Sequence, residues 1–165
     1  HAIAFSDRSE LSGEYLNTTR ENFLKSMLIS CFSFTEVAKE ASKIMNEGGS
    51  MLTLTYESTK VIPNYNVMGV CKSALEASVK YLAVDLGEKN IRVNAVSAGP
   101  LPTLAARSIP GFSEMNKAHR ERAPLKRNIN HYEVATTALF LLSDMSSGIT
   151  GANIPVDAGY GIVAY

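Results

Sequence analysis

Ser50–Tyr56 (SMLTLTY), Tyr65–Leu86 (YNVMGVCKSALEASVKYLAVDL) and Ile91–Ser97 (IRVNAVS) decide the fold. The two outer segments are short, apolar and β-branched, and Gly48-Gly49 precedes the first of them, which suits strands buried in a parallel sheet. Between them Met68, Cys71, Leu75, Val79, Leu82 and Leu86 recur at helical spacing, and Gly87 closes the run. Strand, helix and strand without a hairpin dipeptide require a crossover. Right-handed crossovers build a parallel sheet with helices on both faces, so the fold class is α/β.

Working outward, His1–Ser6 (HAIAFS) predicts the tail of a further strand, ending in the polar loop Asp7–Gly13. A long helix is predicted from an N-cap at Asn17 or Thr18, with Phe23, Met27, Cys31, Phe34, Ala38, Ala41 and Met45 on one face. After Ser97, Ala98-Gly99-Pro100 leads into Leu101–Arg127, which holds Pro102, Pro110 and Pro124 and short helical pieces. A stretch this long within a compact domain is usually functional. His131–Ser143 predicts a helix presenting Ala135, Ala138, Leu139 and Leu142, and Asn153–Asp157 (NIPVD) the last strand.

The 165 residues, 45% hydrophobic and 19% charged, describe one globular domain without internal repeat or boundary. With 16 Lys+Arg against 16 Asp+Glu, the chain lacks the basic excess that nucleic-acid or membrane-surface binding needs. No apolar run is long enough to span a membrane, and HAIAFSDRSE has none of the parts of a signal peptide. Cys31 and Cys71 form no CxxC pair and have no His at metal-ligand spacing, so both read as reduced buried thiols of a cytoplasmic protein with no metal site. The 11 glycines include no G-x-G-x-x-G turn between a strand and a helix.

Ligands of parallel α/β sheets sit beyond the carboxyl ends of the strands, which directs attention to the residues after Ser6, Tyr56 and Ser97. Tyr65 and Lys72 lie seven residues apart at the start of the central helix, two turns or ~10 Å along one face. A cation near a phenol favours the phenolate and strengthens its hydrogen bond to a developing oxyanion, and a lysine can hold sugar hydroxyls. Gly69, on the same face, leaves room for a flat ligand ring. The same residues also suit a tyrosine at a helix start and a solvated lysine, and spacing does not choose between the two. Leu101–Arg127 carries six cations (Arg107, Lys117, Arg120, Arg122, Lys126, Arg127) against Glu114 and Glu121, which suits either a solvated face or a dock for an acidic partner. His119 reads as a surface residue.

Ile62-Pro63-Asn64-Tyr65-Asn66-Val67-Met68-Gly69 with Lys72, followed by Arg92-Val93-Asn94-Ala95-Val96-Ser97-Ala98-Gly99-Pro100, resembles the bacterial NADH-dependent enoyl-acyl-carrier-protein reductases, divergent short-chain dehydrogenase/reductases. Further matches are His1–Asp7, Ser9–Gly13, Thr103–Ala106 and Val156–Tyr160. Most of that superfamily places its lysine four residues after the tyrosine, where this chain has Gly69; the enoyl reductases use seven. The resemblance implies a Rossmann-type doubly wound sheet in which Tyr65 stabilises the enolate formed from an enoyl thioester. The resemblance further implies that Lys72 holds the nicotinamide ribose of NAD (NADH) and that Tyr56 lies beside the substrate in a supporting role. It also implies that Ile3, Leu101, Pro102, Thr103, Leu104 and Ala105 contact the cofactor, that Ser6 lines the substrate site, and that residues 101–127 form a substrate-binding loop. The implied partner is acyl carrier protein, and the implied assembly is a homotetramer using the helices that start near Asn17 and Tyr65.

The family's first strand, its phosphate turn and its selector of NADH over NADPH are expected before His1. On that expectation, 1–165 is the C-terminal two thirds of one domain, with a sheet edge and helix faces uncovered, poorly soluble and inactive alone. The chain also departs from the family. Tyr56 and Tyr65 are nine apart rather than ten, and Glu57-Ser58-Thr59-Lys60 replaces a glycine-containing segment. Pro102 stands where Arg is frequent, Arg107-Ser108-Ile109 replaces a small turn, and Ala158 stands where Gly is favoured. These departures keep two alternatives in view, a non-catalytic nucleotide-binding remnant and a carbonyl reductase.

Overall fold

Three parallel strands, β1 (Gly49–Thr55), β2 (Ile91–Ala98) and β3 (Asn153–Val156), stand in the order β1-β2-β3. The structure is a computed structural model and describes residues 1–56, 58–107 and 109–164. Gly49 lies opposite Ile91 and Thr55 opposite Ser97, while Ala95 faces Asn153 and Ala98 faces Val156. Helix α3 (Asn66–Gly87) crosses from β1 to β2, and α4 (Leu104–Arg107), α5 (Phe112–Arg122) and α6 (His131–Leu142) lie between β2 and β3.

The strand period of two sorts β2 between the faces. Ile91, Val93 and Ala95 pack with Leu75, Val79 and Leu86 of α3 and with Cys31 and Phe34, whereas Val96 and Ala98 pack with Val134 and Leu141 of α6. The parallel α/β arrangement covered on both faces is the expected one. Cys31 and Cys71 are free and buried as expected, and burial, reinforced by Cys31, pushes the Cys71 thiol up to about 11. Among the described residues no helix is long and apolar enough to cross a membrane, and no group of three or more His, Cys, Asp or Glu is placed to hold a metal.

Three expectations need correction. His1–Ser6 is not a strand. Of these residues His1 pairs with β1, its nitrogen donating to Leu52 O at 2.7 Å and its carbonyl accepting from Leu54 N at 3.1 Å. The chain then leaves the sheet because Ser30 Oγ takes both the N–H and the carbonyl of Phe5, at 2.8 and 2.9 Å.

The first helix starts neither at Asn17 nor at Thr18. It is α1 (Arg20–Met27), capped by Thr19 Oγ1, which accepts from Asn22 N at 3.2 Å. A π-turn, Leu28–Phe32, separates it from α2 (Ser33–Ala41). The extra residue of a π-turn rotates the face that follows. Asn22, Ser26 and Ser30 are therefore buried in the first half and Cys31, Phe34 and Ala38 after it, with Phe23 and Met27 only half-buried.

Helix α6 turns Val134 and Leu141 inward, not Ala135, Leu139 and Leu142; Leu139 is 65% exposed. The run Ala138–Leu142 offers apolar side chains in several directions, and packing on the sheet chooses among them.

Candidate active site

Where β1 and β2 end, a cavity of ≈ 300 Å³ opens between α3, the N-terminal loop and the α4–α5 segment. Its wall takes Thr55 and Tyr56 from the end of β1, Tyr65, Met68 and Lys72 from the start of α3, Gly99–Leu101 after β2, and Phe112 and Met115 from α5. It is a mostly apolar chamber with a few convergent polar groups, the usual form of a small-molecule site.

Tyr65 sits between two left-handed residues, Asn64 at φ 61 and Asn66 at φ 37. Asparagine tolerates that region better than most L-residues, which accounts for the Asn-Tyr-Asn triplet. The Asn66 amide donates to Glu10 O at 3.0 Å and Gly13 O at 3.3 Å, tying the helix start to the polar loop. Burial first, then Tyr56 and Cys71, push the Tyr65 phenol well above its ordinary value of 10.0. The phenol is thus a neutral hydrogen-bond donor. Burial thus opposes the phenolate that a nearby cation would favour.

Lys72 is buried, and its Nζ donates to Leu54 O at 3.0 Å. Burial pulls its ammonium below the ordinary lysine range, and Cys71 and Glu76 pull it partly back. Tyr56 stands edge-on to Tyr65, with centroids 5.3 Å apart and planes at 81°, and its hydroxyl donates to Met115 Sδ at 3.3 Å. The nine-residue spacing therefore still brings the two tyrosines ring to ring. Gly69 lies off the wall, and a Cβ there would meet only Tyr65 Cδ1 at 3.7 Å, an ordinary contact.

Ser6, Leu101 and Thr103 lie on the wall, Thr103 Oγ1 also accepting from Ala106 N at 3.1 Å. Ile3 is 54% and Leu104 89% exposed, both off the wall, and Pro102 lines a neighbouring surface cleft with Arg107 and Asn116. The Ala105 side chain, Glu57 and Ser108 lie outside the described residues.

Two features were missed in the sequence. The first is a buried polar seam along the first helix. Asn22 Oδ1 accepts from Asp7 N and from Ser26 Oγ, both at 3.0 Å, while its amide donates to Glu10 Oε2 at 3.0 Å. With Ser30 on the Phe5 backbone, it pins the loop that closes the cavity. Three polar residues at four-residue intervals were the available signal.

The second is His119, expected at the surface and found buried, stacked on Tyr160 with centroids 4.6 Å apart. A Cβ at Gly99 would lie 2.9 Å from its Nε2, so only glycine lets α5 close over the end of β2. Burial pulls the His119 imidazole below its ordinary value, toward the neutral form. Of the six cations of residues 101–127, Lys117 faces Glu121 at 3.9 Å and Arg127 holds Glu133 at 2.6 Å.

The family described as Enoyl-(Acyl carrier protein) reductase matches residues 1–161. The enoyl-[acyl-carrier-protein] reductase [NADH] 1 of Rhizobium meliloti (strain 1021) is 60% identical over 161 residues, 97% of this chain and 59% of that protein. That of Rickettsia typhi is 55% identical over 164 residues, 99% of this chain and 63% of that protein. The Bacillus cereus enoyl-acyl carrier protein reductase, crystallised with NADP+ and indole naphthyridinone, is 54% identical and superimposes at TM-score 0.98 over 100% of this chain and 65% of that one. The Anaplasma phagocytophilum enzyme in complex with NAD matches at TM-score 0.96 and 54% identity, over 100% of this chain and 63% of that one. The chain thus spans about three fifths of the length of these curated relatives, a Rossmann-type fragment by its superposition. A match running almost end to end, with more than half of the residues identical and the whole backbone superimposed, places this chain in the enoyl-(acyl carrier protein) reductase family.

Proposed function

We propose that the chain carries the substrate-facing part of a cytoplasmic NADH-dependent reductase that saturates the trans-2 double bond of an enoyl thioester on acyl carrier protein, in fatty-acid synthesis. One observation carries the reading: the buried, neutral Tyr65 phenol, the edge-on Tyr56 and the buried Lys72 converge on one apolar cavity at the carboxyl ends of β1 and β2.

NADH, when bound, supplies the hydride. Tyr65 donates its hydroxyl hydrogen to the thioester carbonyl oxygen and stabilises the negative charge that grows there, in a site whose apolar walls keep out water. A lysine ammonium has three donors, and with one on Leu54 O the others suit ribose hydroxyls. Tyr56 and Ser6 flank the acyl group. Ile3 and Leu101–Ala105 are assigned to the cofactor side, and of these Leu101 and Thr103 line the cavity. These residues fit the nicotinamide end of a dinucleotide; a glycine-rich phosphate turn is not among the 165.

Exposed Leu24 on α1, Leu28 and Phe32 on the π-turn, and Tyr81 and Val84 on α3 favour a homotetramer built on these segments. Exposed Arg120, Arg122 and Lys126 favour docking of an acidic carrier protein.

The test is NADH and NADPH oxidation by the full-length gene product with a short enoyl thioester. Tyr65→Phe is expected to lower kcat about 10²–10³-fold, and Lys72→Ala to raise the KM for NADH. Near wild-type turnover in both variants overturns the assigned roles. Cofactor binding without reduction of any enoyl thioester would mark a non-catalytic remnant, and reduction of a 3-oxoacyl thioester a carbonyl reductase.

A further inference from the structure

Glu76 lies one turn beyond Lys72 on α3, off the cavity wall. Its two carboxylate oxygens accept from Thr55 Oγ1 at 2.7 Å and from Ser58 Oγ at 2.5 Å, residues on either side of Tyr56. Ser73 Oγ adds a contact to Ser58 O at 3.4 Å, and Lys72 Nζ holds Leu54 O at 3.0 Å. Three side chains of α3 thus grip the backbone or hydroxyls of the residues that bracket Tyr56. Thr55 is buried, so its hydroxyl needs a partner, and a carboxylate makes a stronger one than a neutral acceptor. The eight residues that link Tyr56 to Tyr65 include no glycine. Tyr56, between the two residues that Glu76 holds, stands edge-on to Tyr65.

We infer that Glu76 is a positioning residue, acting through Thr55 and Ser58 to aim Tyr56 at the cavity. The kinetic part of this inference rests on the reductase reading; the geometric part does not.

The experiment uses the full-length gene product with Glu76→Ala, Glu76→Gln, Ser58→Ala, Tyr56→Phe and the Glu76→Ala/Tyr56→Phe double variant. Glu76→Ala is expected to lower kcat for an enoyl thioester about tenfold or more while the KM for NADH stays within about twofold, as misplacement of a reacting group predicts. Glutamine keeps one acceptor and offers a donor to the second hydroxyl, so Glu76→Gln is expected to return kcat to within about threefold of wild type. The double variant is expected to be no slower than the slower single variant; losses that multiply overturn the inference.

Tyrosine ring-carbon NMR gives a readout that needs no turnover. The Tyr56 resonance, assigned by its loss in Tyr56→Phe, is expected to move in Glu76→Ala and less far in Ser58→Ala, with Tyr132 on α6 unmoved. A Tyr56 resonance that stays in place in Glu76→Ala overturns the strap. An inactive wild-type protein overturns the reductase reading alone.

Discussion

The wall of the cavity built by α3 and the N-terminal loop is pinned by side-chain hydrogen bonds to backbone groups; the wall built by α4 and α5 is held chiefly by packing. On the first side Asn22, Ser30, Asn66 and Lys72 each bind backbone groups of a neighbouring segment. On the second, Met115 meets the Tyr56 hydroxyl, His119 lies flat on Tyr160, and Asn116 Nδ2 donates to Pro100 O at 3.5 Å. Sliding a buried hydrogen-bond network orphans polar groups, which is costly, whereas apolar contacts can slide and re-form. The polar chemistry therefore stands on the fixed wall, and the deformable wall faces the apolar remainder of the cavity.

Breaking the fixed wall has the largest expected effect. Asn22→Ala leaves Asp7 N and the buried Ser26 Oγ without their shared acceptor and is expected to cost about 2–4 kcal/mol in urea unfolding. A loss below about 0.5 kcal/mol would show that the seam does not pin the loop.

Gly99→Ala probes the other wall. The added methyl meets His119 and is expected to cost about 1–3 kcal/mol and to raise the KM for the thioester, with NADH binding little changed. Gly99→Ala combined with His119→Ala is expected to cost less than the sum of the two single losses, because the shortest contact is then gone and only Asp157 Cα at 3.3 Å remains.

Alkaline unfolding sharpens the contrast electrostatically. Above 10.0 the Tyr65 phenol ionises in the unfolded chain but stays protonated when folded. Unfolding then releases a proton, so stability falls as pH rises, with a slope approaching ~1.4 kcal/mol per pH unit. Lys72, whose folded value lies below 10.5, contributes the opposite slope below that pH, since its unfolded form holds the proton longer. Tyr65→Phe is expected to remove the first slope in pH-dependent denaturation and leave the second.

The smallest effect concerns the segment under His119. Ala158 adopts φ 57, a conformation that disfavours a Cβ, so Ala158→Gly is expected to stabilise the protein by about 0.5–1 kcal/mol in thermal unfolding.

Local periodicity made the three strands, the α3 crossover and the parallel order legible, because alternation and 3.6-residue spacing are written along contiguous residues. The Tyr65–Lys72 pair was legible for the same reason, being two turns of one helix, and the surrounding motifs carried the family. What escaped depended on partners far away in the chain. The π-turn at Leu28–Phe32 exists where Asn22, Ser26 and Ser30 must face a loop some fifteen to twenty-five residues earlier. His119 is buried only because Gly99 and Tyr160 meet it from other elements.

The sequence by itself determined which segments form the sheet and which residue types reach its carboxyl end. Tertiary structure decided which face of α6 turns inward, that Tyr65 stays neutral, and that Tyr56 is aimed from Glu76. Periodicity is a property of neighbours along the chain, whereas desolvation and hydrogen-bond satisfaction are set by whatever the fold brings alongside.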